Sequence, residues 1–244
     1  MGNFLSELGD VLFLDIETAS LESDFRELPP RLQEEWLKKE KHIMSKEEEG
    51  EPGSLFFQKA GIYAEFGKVI CVGVGYFHYL EEENKLEFRT KSYGEELEYD
   101  TLTAFCELLQ KKKWVLCAHN GKEFDFPYLS RRILINRIPL PEPLQIAGKK
   151  PWEVRHLDTL ELWKFGDYKH YTRLELLAAI FDIPTSKESI DGSQVNDAYY
   201  IQKDLESIRK YCLRDVVVTA QIYLAFQGLP SDIEMEVINR DNEG

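Results

Sequence analysis

The run Val11-Leu-Phe-Leu-Asp-Ile16 constrains this chain most. It is short, apolar, and rich in β-branched and aromatic side chains, which reads as a buried strand. Asp15 and Glu17 stand at its end, two residues apart. In a strand, positions i and i+2 point to the same face. Two carboxylates side by side at a buried strand end repel each other and resist desolvation. A bound cation is the simplest compensation, although most Asp-x-Glu triplets are surface pairs.

The rest of the chain supplies elements to cover that strand. Residues 20–66 read as an insertion, with helical character from Leu21 to Lys41 and a charged loop from Lys46 to Gly53. Strands are expected at Lys68–Tyr79 and Lys85–Tyr93, with a hairpin marked by Asn84, and again at Trp114–Ala118 and Val154–Asp158. Helices are expected at Tyr99–Lys112, at Phe124–Ile135 with Pro127 in its first turn, and at Arg173–Phe181 with Thr172 as N-cap. Asp197–Phe226 reads as one or two more, and the polar, acidic residues 228–244 as a frayed tail. This order describes one mixed α/β domain over residues 1–227, with a hairpin-led five-stranded sheet flanked by helices. It is not a doubly wound nucleotide fold. Gly73-Val-Gly75 lies inside a strand and lacks the third glycine of a dinucleotide fingerprint.

Composition narrows the classes. With 244 residues, 43% of them hydrophobic, the chain can bury a sizeable core. No apolar run reaches membrane-spanning length, and the N-terminus lacks the positive leader of a secretory signal. Cys71, Cys106, Cys117 and Cys212 form no C-x-x-C pair, which reads as reduced, mostly buried cysteines of a cytoplasmic protein. The net charge of −14 argues against nucleic-acid binding. The charge is uneven, however. Between Lys111 and Arg155 ten basic residues face four acidic ones, and cations held by carboxylates would neutralise others locally. An ordinary solvated face with lysines competes with that reading.

Two further segments carry candidate acids. In Ala118-His-Asn-Gly-Lys-Glu-Phe-Asp125, a strand runs into a turn and Asp125 opens a helix; Asn120 and Asp125 also suit those places on purely structural grounds. In Tyr211-Cys-Leu-Arg-Asp215, positions i and i+4 put Tyr211 and Asp215 on one helix face. The plainer reading there is a core tyrosine and an aspartate paired with Arg214 or Lys210. Together the pieces suit phosphodiester hydrolysis. Two divalent ions can lower the pKa of an attacking water and stabilise the leaving 3′ oxygen, and magnesium or manganese prefers hard carboxylate oxygens.

Phe13-Leu-Asp-Ile-Glu-Thr18, Asn120 to Asp125, and Tyr211-x-x-x-Asp215 resemble, in this order, the three motifs of the DEDD superfamily of 3′-5′ exonucleases, in its tyrosine variant. Ala64 to Tyr76, His156-Leu-Asp158, and Lys187 followed by Gly192-Ser-Gln-Val195 resemble stand-alone relatives of the family B DNA polymerase proofreading domain. The resemblance implies a ribonuclease H-like (DnaQ-like) fold and two Mg2+ or Mn2+ ions held by Asp15, Glu17, Asp125 and Asp215. It implies that Tyr211 positions the nucleophilic water. Ile16 and Thr18 would contact the terminal nucleotide, and Asn120 and Phe124 would hold or wedge the strand, although core packing competes with that role for Phe124. The implied activity is removal of nucleoside 5′-monophosphates from the free 3′ end of single-stranded DNA. An exoribonuclease with the same site, or a non-catalytic nucleic-acid-binding module, remains an alternative.

Overall fold

β1 (Val11–Ser20) is the spine of the structure. The computed structural model describes residues 8–44, 50–80, 82–83, 85–167, 171–185, 192–228 and 235–241. β1 pairs antiparallel with β2 (Gly67–Leu80) and parallel with β4 (Val115–Ala118). β2 continues to β3 (Lys85–Tyr93), and β4 to β5 (Leu157–Asp158). Alternation along β1 serves two cores. Leu12, Leu14 and Ile16 pack with Phe105 of α3 (Glu98–Gln110) and with Phe126 and Leu129 of α4 (Asp125–Ile135). Phe13 faces the other way, against Phe77, Phe88 and Tyr223 of the long helix α7 (Leu205–Phe226). The sheet is therefore covered on both faces, as the apolar sequence of β1 requires. The result is a mixed α/β sheet flanked by helices, consistent with a ribonuclease H-like fold.

Among the described residues the sheet has six strands in the order β5-β4-β1-β2-β3-β6, not five. β6 (Met235–Asn239) lies in the stretch whose polar composition reads as a frayed tail. It runs parallel to β3, and Asp241 accepts hydrogen bonds from the backbone N–H (2.6 Å) and hydroxyl (2.8 Å) of Ser92. Only Met235 and Ile238 of β6 are half-buried, so an edge strand with one weakly covered face left little apolar signal.

β5 is shorter than the expected Val154–Asp158. The His156 ring takes the place of ladder backbone: its Nδ1 accepts from the Leu116 N–H at 3.2 Å, and its Nε2 pairs with the Pro143 carbonyl at 2.6 Å. In the insertion, α1 (Pro30–Ile43) starts nine residues later than Leu21 because Pro29-Pro30 bars helix on its N-terminal side. The insertion, which also carries the short helix α2 (Phe56–Lys59), has its own small core of Leu28, Trp36, Phe56, Ala60 and Phe66. Buried Glu40 secures it by accepting from the N–H groups of Gly53 (2.7 Å) and Leu55 (2.8 Å). Asn196 ties it to the end of β1 by accepting from Ser20 N–H and donating to the Phe57 carbonyl. α5 (Thr159–Lys164) and α6 (Leu174–Ile180) complete the fold. Thr172 is not the N-cap of α6: Arg173 holds that position without a side-chain cap, and the buried Thr172 hydroxyl has no partner among the described residues. Asn84, Lys187 and the first half of the charged loop, residues 46–49, lie outside the described residues. Among those described, no helix is long and apolar enough to cross a membrane.

Candidate active site

The site is assembled where α7 crosses β1 and β2. Gly73 and Gly75 make that crossing close: a Cβ at Gly73 would lie 2.9 Å from Cys212 Sγ, and one at Gly75 3.1 Å from Val216 Cγ1 of α7, besides 2.4 Å from the Phe88 ring of β3. The glycine pair inside β2 thus serves helix packing rather than nucleotide binding. Gly73 is the β2 neighbour of Asp15, so the close approach sets α7 directly over the carboxylates. Cys212 Sγ accepts from the Gly73 N–H at 3.1 Å and donates to the Asp15 carbonyl at 3.3 Å. Donor atoms of Asp15, Glu17 and Cys212 all lie within 4.8 Å of one another. The sequence treated Cys212 as an ordinary buried cysteine, and its spacing one residue after Tyr211 carried no sign of this contact.

Asp125 approaches from the other side. The β1–β4 ladder ends at the Phe13–Cys117 pair, which leaves the next N–H groups of β1 without a strand partner. The Asp125 carboxylate takes up the Ile16 N–H together with its own. The turn that delivers it is set by Asn120, in the left-handed region at φ 65°, which asparagine tolerates. Asp158 fixes this turn by accepting from the N–H groups of Asn120 and Lys122, both at 3.0 Å, while capping α5 through those of Leu160 and Glu161.

α7 brings Tyr211 and Asp215, both nearly buried. The Tyr211 hydroxyl donates to Asp215. Arg214 donates from Nε (3.0 Å) and Nη2 (2.9 Å) to one oxygen of Asp215, and its guanidinium lies 4.5 Å from the Tyr211 ring centroid. The ion pair weighed as an alternative to a site role is present within the site itself.

The electrostatics tie the four acids together. Burial, then the charges of Glu17, Asp125 and Asp215, hold the Asp15 carboxyl well above the usual carboxylate range. Burial, then Asp215, Cys71 and Asp125, do the same for Glu17, with Arg214 opposing. Burial pushes Asp125 up to about 7 and raises Asp215 despite Arg214. Tyr211 is raised by burial and by Asp215, Glu17 and Asp15. Glu175, in the first turn of α6, also acts on Asp215 and Tyr211; the sequence placed it only near a capping position.

The expected substrate contacts are distributed unevenly. Ile16 is buried in the core, so only its backbone faces the site. Thr18 is half-buried and hydrogen-bonded to Tyr128. Phe124 is half-buried against the core, its ring 5.3 Å from that of Tyr128. Asn120 stands at the turn beside Asp125.

A family described as "Predicted 3'-5' exonuclease related to the exonuclease domain of PolB" matches residues 63–243. The chain belongs to this family. The matched residues include Asp125, Tyr211 and Asp215, whereas Asp15 and Glu17 precede them. The chain is also 26% identical over 126 residues to "DNA polymerase 1" of Pyrococcus abyssi, across 46% of this chain and 16% of that protein. It is 22% identical over 139 residues to "DNA polymerase" of Pyrococcus glycovorans, across 51% of this chain and 18% of that one. It thus spans less than a fifth of the length of these relatives.

Proposed function

We propose that the protein is a metal-dependent 3′-5′ exonuclease acting on single-stranded DNA, with residues 1–227 as the exonuclease domain and β6 extending its sheet. The observation that carries this reading is a cluster of carboxylates, Glu17, Asp125 and Asp215 buried and Asp15 half-buried, in which Asp15 feels the charges of the other three and Arg214 stands against Asp215. Such a cluster is short of positive charge, and hard oxygen donors fit Mg2+ or Mn2+. Asp15, Glu17, Asp125 and Asp215 would hold two such ions, which supply Lewis acidity and a more acidic bound water. Tyr211, with its hydroxyl on Asp215, orients the attacking water. Asn120 and Phe124 border the place where a terminal nucleotide lies, and Phe124 offers a ring edge for a base. The likeness to DNA polymerases favours DNA as the polymer. Four free, buried cysteines accord with a reducing, cytoplasmic setting.

The test is hydrolysis of a 5′-labelled single-stranded oligonucleotide with Mg2+ or Mn2+. The wild type should shorten it stepwise from the 3′ end and release nucleoside 5′-monophosphates. Asp15→Ala should abolish this while keeping the circular dichroism of the wild type. No metal-dependent cleavage by the wild type, or normal cleavage by Asp15→Ala, would overturn the proposal.

A further inference from the structure

A groove of about 680 Å³ is lined by residues on either side of Asp125 in sequence, from Asn120 to Phe126. Its walls include Asn120, Lys122, Lys149, Trp152, Asp158 and Lys164. It adjoins the candidate site through the residues around Asp125. Phe126, the next residue, lies on its floor, and Asp158, on its wall, acts on the Asp125 carboxyl through its charge.

The chemistry of the walls is uneven in a telling way. Asp158 is saturated by four backbone N–H groups. Glu161 is paired with Lys122 at 2.5 Å. Glu123 is the acid left on the rim. Lys149 and Lys164 have no carboxylate partner among the described residues. Trp152 lines the same groove, 78% exposed, with Lys150 Nζ 5.2 Å from its ring centroid. In a chain of net charge −14, a concave surface with unpaired lysines and an uncovered indole is where a polyanion with flat bases gains most.

We propose that this groove is a subsite for the single-stranded nucleic acid upstream of the end being hydrolysed, with a base stacked on Trp152 and backbone phosphates at Lys149 and Lys164. The placement of the 3′ end rests on the exonuclease reading; the binding of the strand does not. A strand that fills only the carboxylate site would not reach Trp152, whereas a longer one would.

The experiment compares oligodeoxynucleotides of about three and about twelve nucleotides, a range that brackets one single-strand site. Binding is read by anisotropy in chelator and cleavage by KM and kcat with Mn2+. Trp152→Ala should weaken binding of the long oligonucleotide about tenfold and raise its KM in step. It should leave kcat, and KM for the short one, unchanged. Trp152→Phe should restore most of the affinity. Lys149→Glu with Lys164→Glu should reduce the slope of log affinity against log salt by about 1.4 for the long oligonucleotide. Equal affinity of Trp152→Ala and wild type for the long oligonucleotide, or the same loss at both lengths, would overturn the proposal. If the wild type binds the long oligonucleotide through Trp152 yet cleaves neither, the groove stands and the exonuclease reading falls.

Discussion

Asp215 is gripped by two side chains of its own helix, and they have opposite consequences. Arg214 supplies charge that makes the buried carboxylate tolerable, while Tyr211 supplies a neutral hydrogen bond and keeps its hydroxyl pointed at the acids. The Tyr211–Asp215 pairing was legible because helical spacing is a local rule. The contact of Cys212 with Asp15 was not, since it depends on how closely α7 packs on β2, and so on what Gly73 lacks. A role for Tyr211 in the reaction separates it from a scaffold. Tyr211→Phe should lower kcat by about ten- to a hundredfold, the worth of one hydrogen bond to a charged group. Mn2+ affinity, measured by calorimetric titration, should stay within about threefold, because the hydroxyl is not among the proposed ligands. Equal losses in both would make Tyr211 a support for Asp215 and nothing more.

At the level of elements, the positions of α3, α4 and β2 are joined by one buried network. Arg132 of α4 donates to Glu98 of α3 through Nε (2.8 Å) and Nη2 (2.6 Å), and through Nη1 to the Ala64 carbonyl (2.8 Å). Glu98 also accepts from Val69 N–H of β2 at 2.7 Å and from the Asn136 amide at 2.9 Å. The sequence counted Arg132 among the basic residues available to a nucleic acid, but it is 4% exposed and fully used. Lys112 is likewise paired, with Asp10 at 2.8 Å. Element type and order were legible from period and turn residues. Which charges face solvent was not, because that depends on contacts between residues far apart in the chain. Removing one partner of a buried pair strands the other. Arg132→Ala should therefore destabilise the protein by about 3–5 kcal/mol in denaturant unfolding. Arg132→Ala with Glu98→Ala should cost less than the two single changes added together. Additive costs would mean that the pair is not coupled.

For the whole molecule, the net charge of −14 and the buried acids make stability depend on pH in a particular direction. Asp125 is raised from an ordinary value near 3.8 to about 7 by burial, and Asp15 and Glu17 are raised too. A carboxyl raised by folding stabilises the folded state while protonated. That contribution is complete below its unfolded pKa and is lost as the pH rises through its folded pKa. Without metal, these groups should therefore lower the melting temperature as the pH climbs from near 3.8 to about 7. Carboxylates held below their usual range by hydrogen bonds, such as Asp24 with Arg26 and Asp204 with Ser207, pull the other way. The informative quantity is thus a difference between proteins rather than one curve. Asp125→Asn in chelator should gain thermal stability relative to wild type as the pH rises across that interval. Divalent ions compete with protons for the same oxygens. The rise in melting temperature on adding Mn2+ to wild type should therefore grow over the same interval and be smaller in Asp125→Asn. A metal-induced rise that is flat in pH and equal in the two proteins would place the ions somewhere other than these carboxylates.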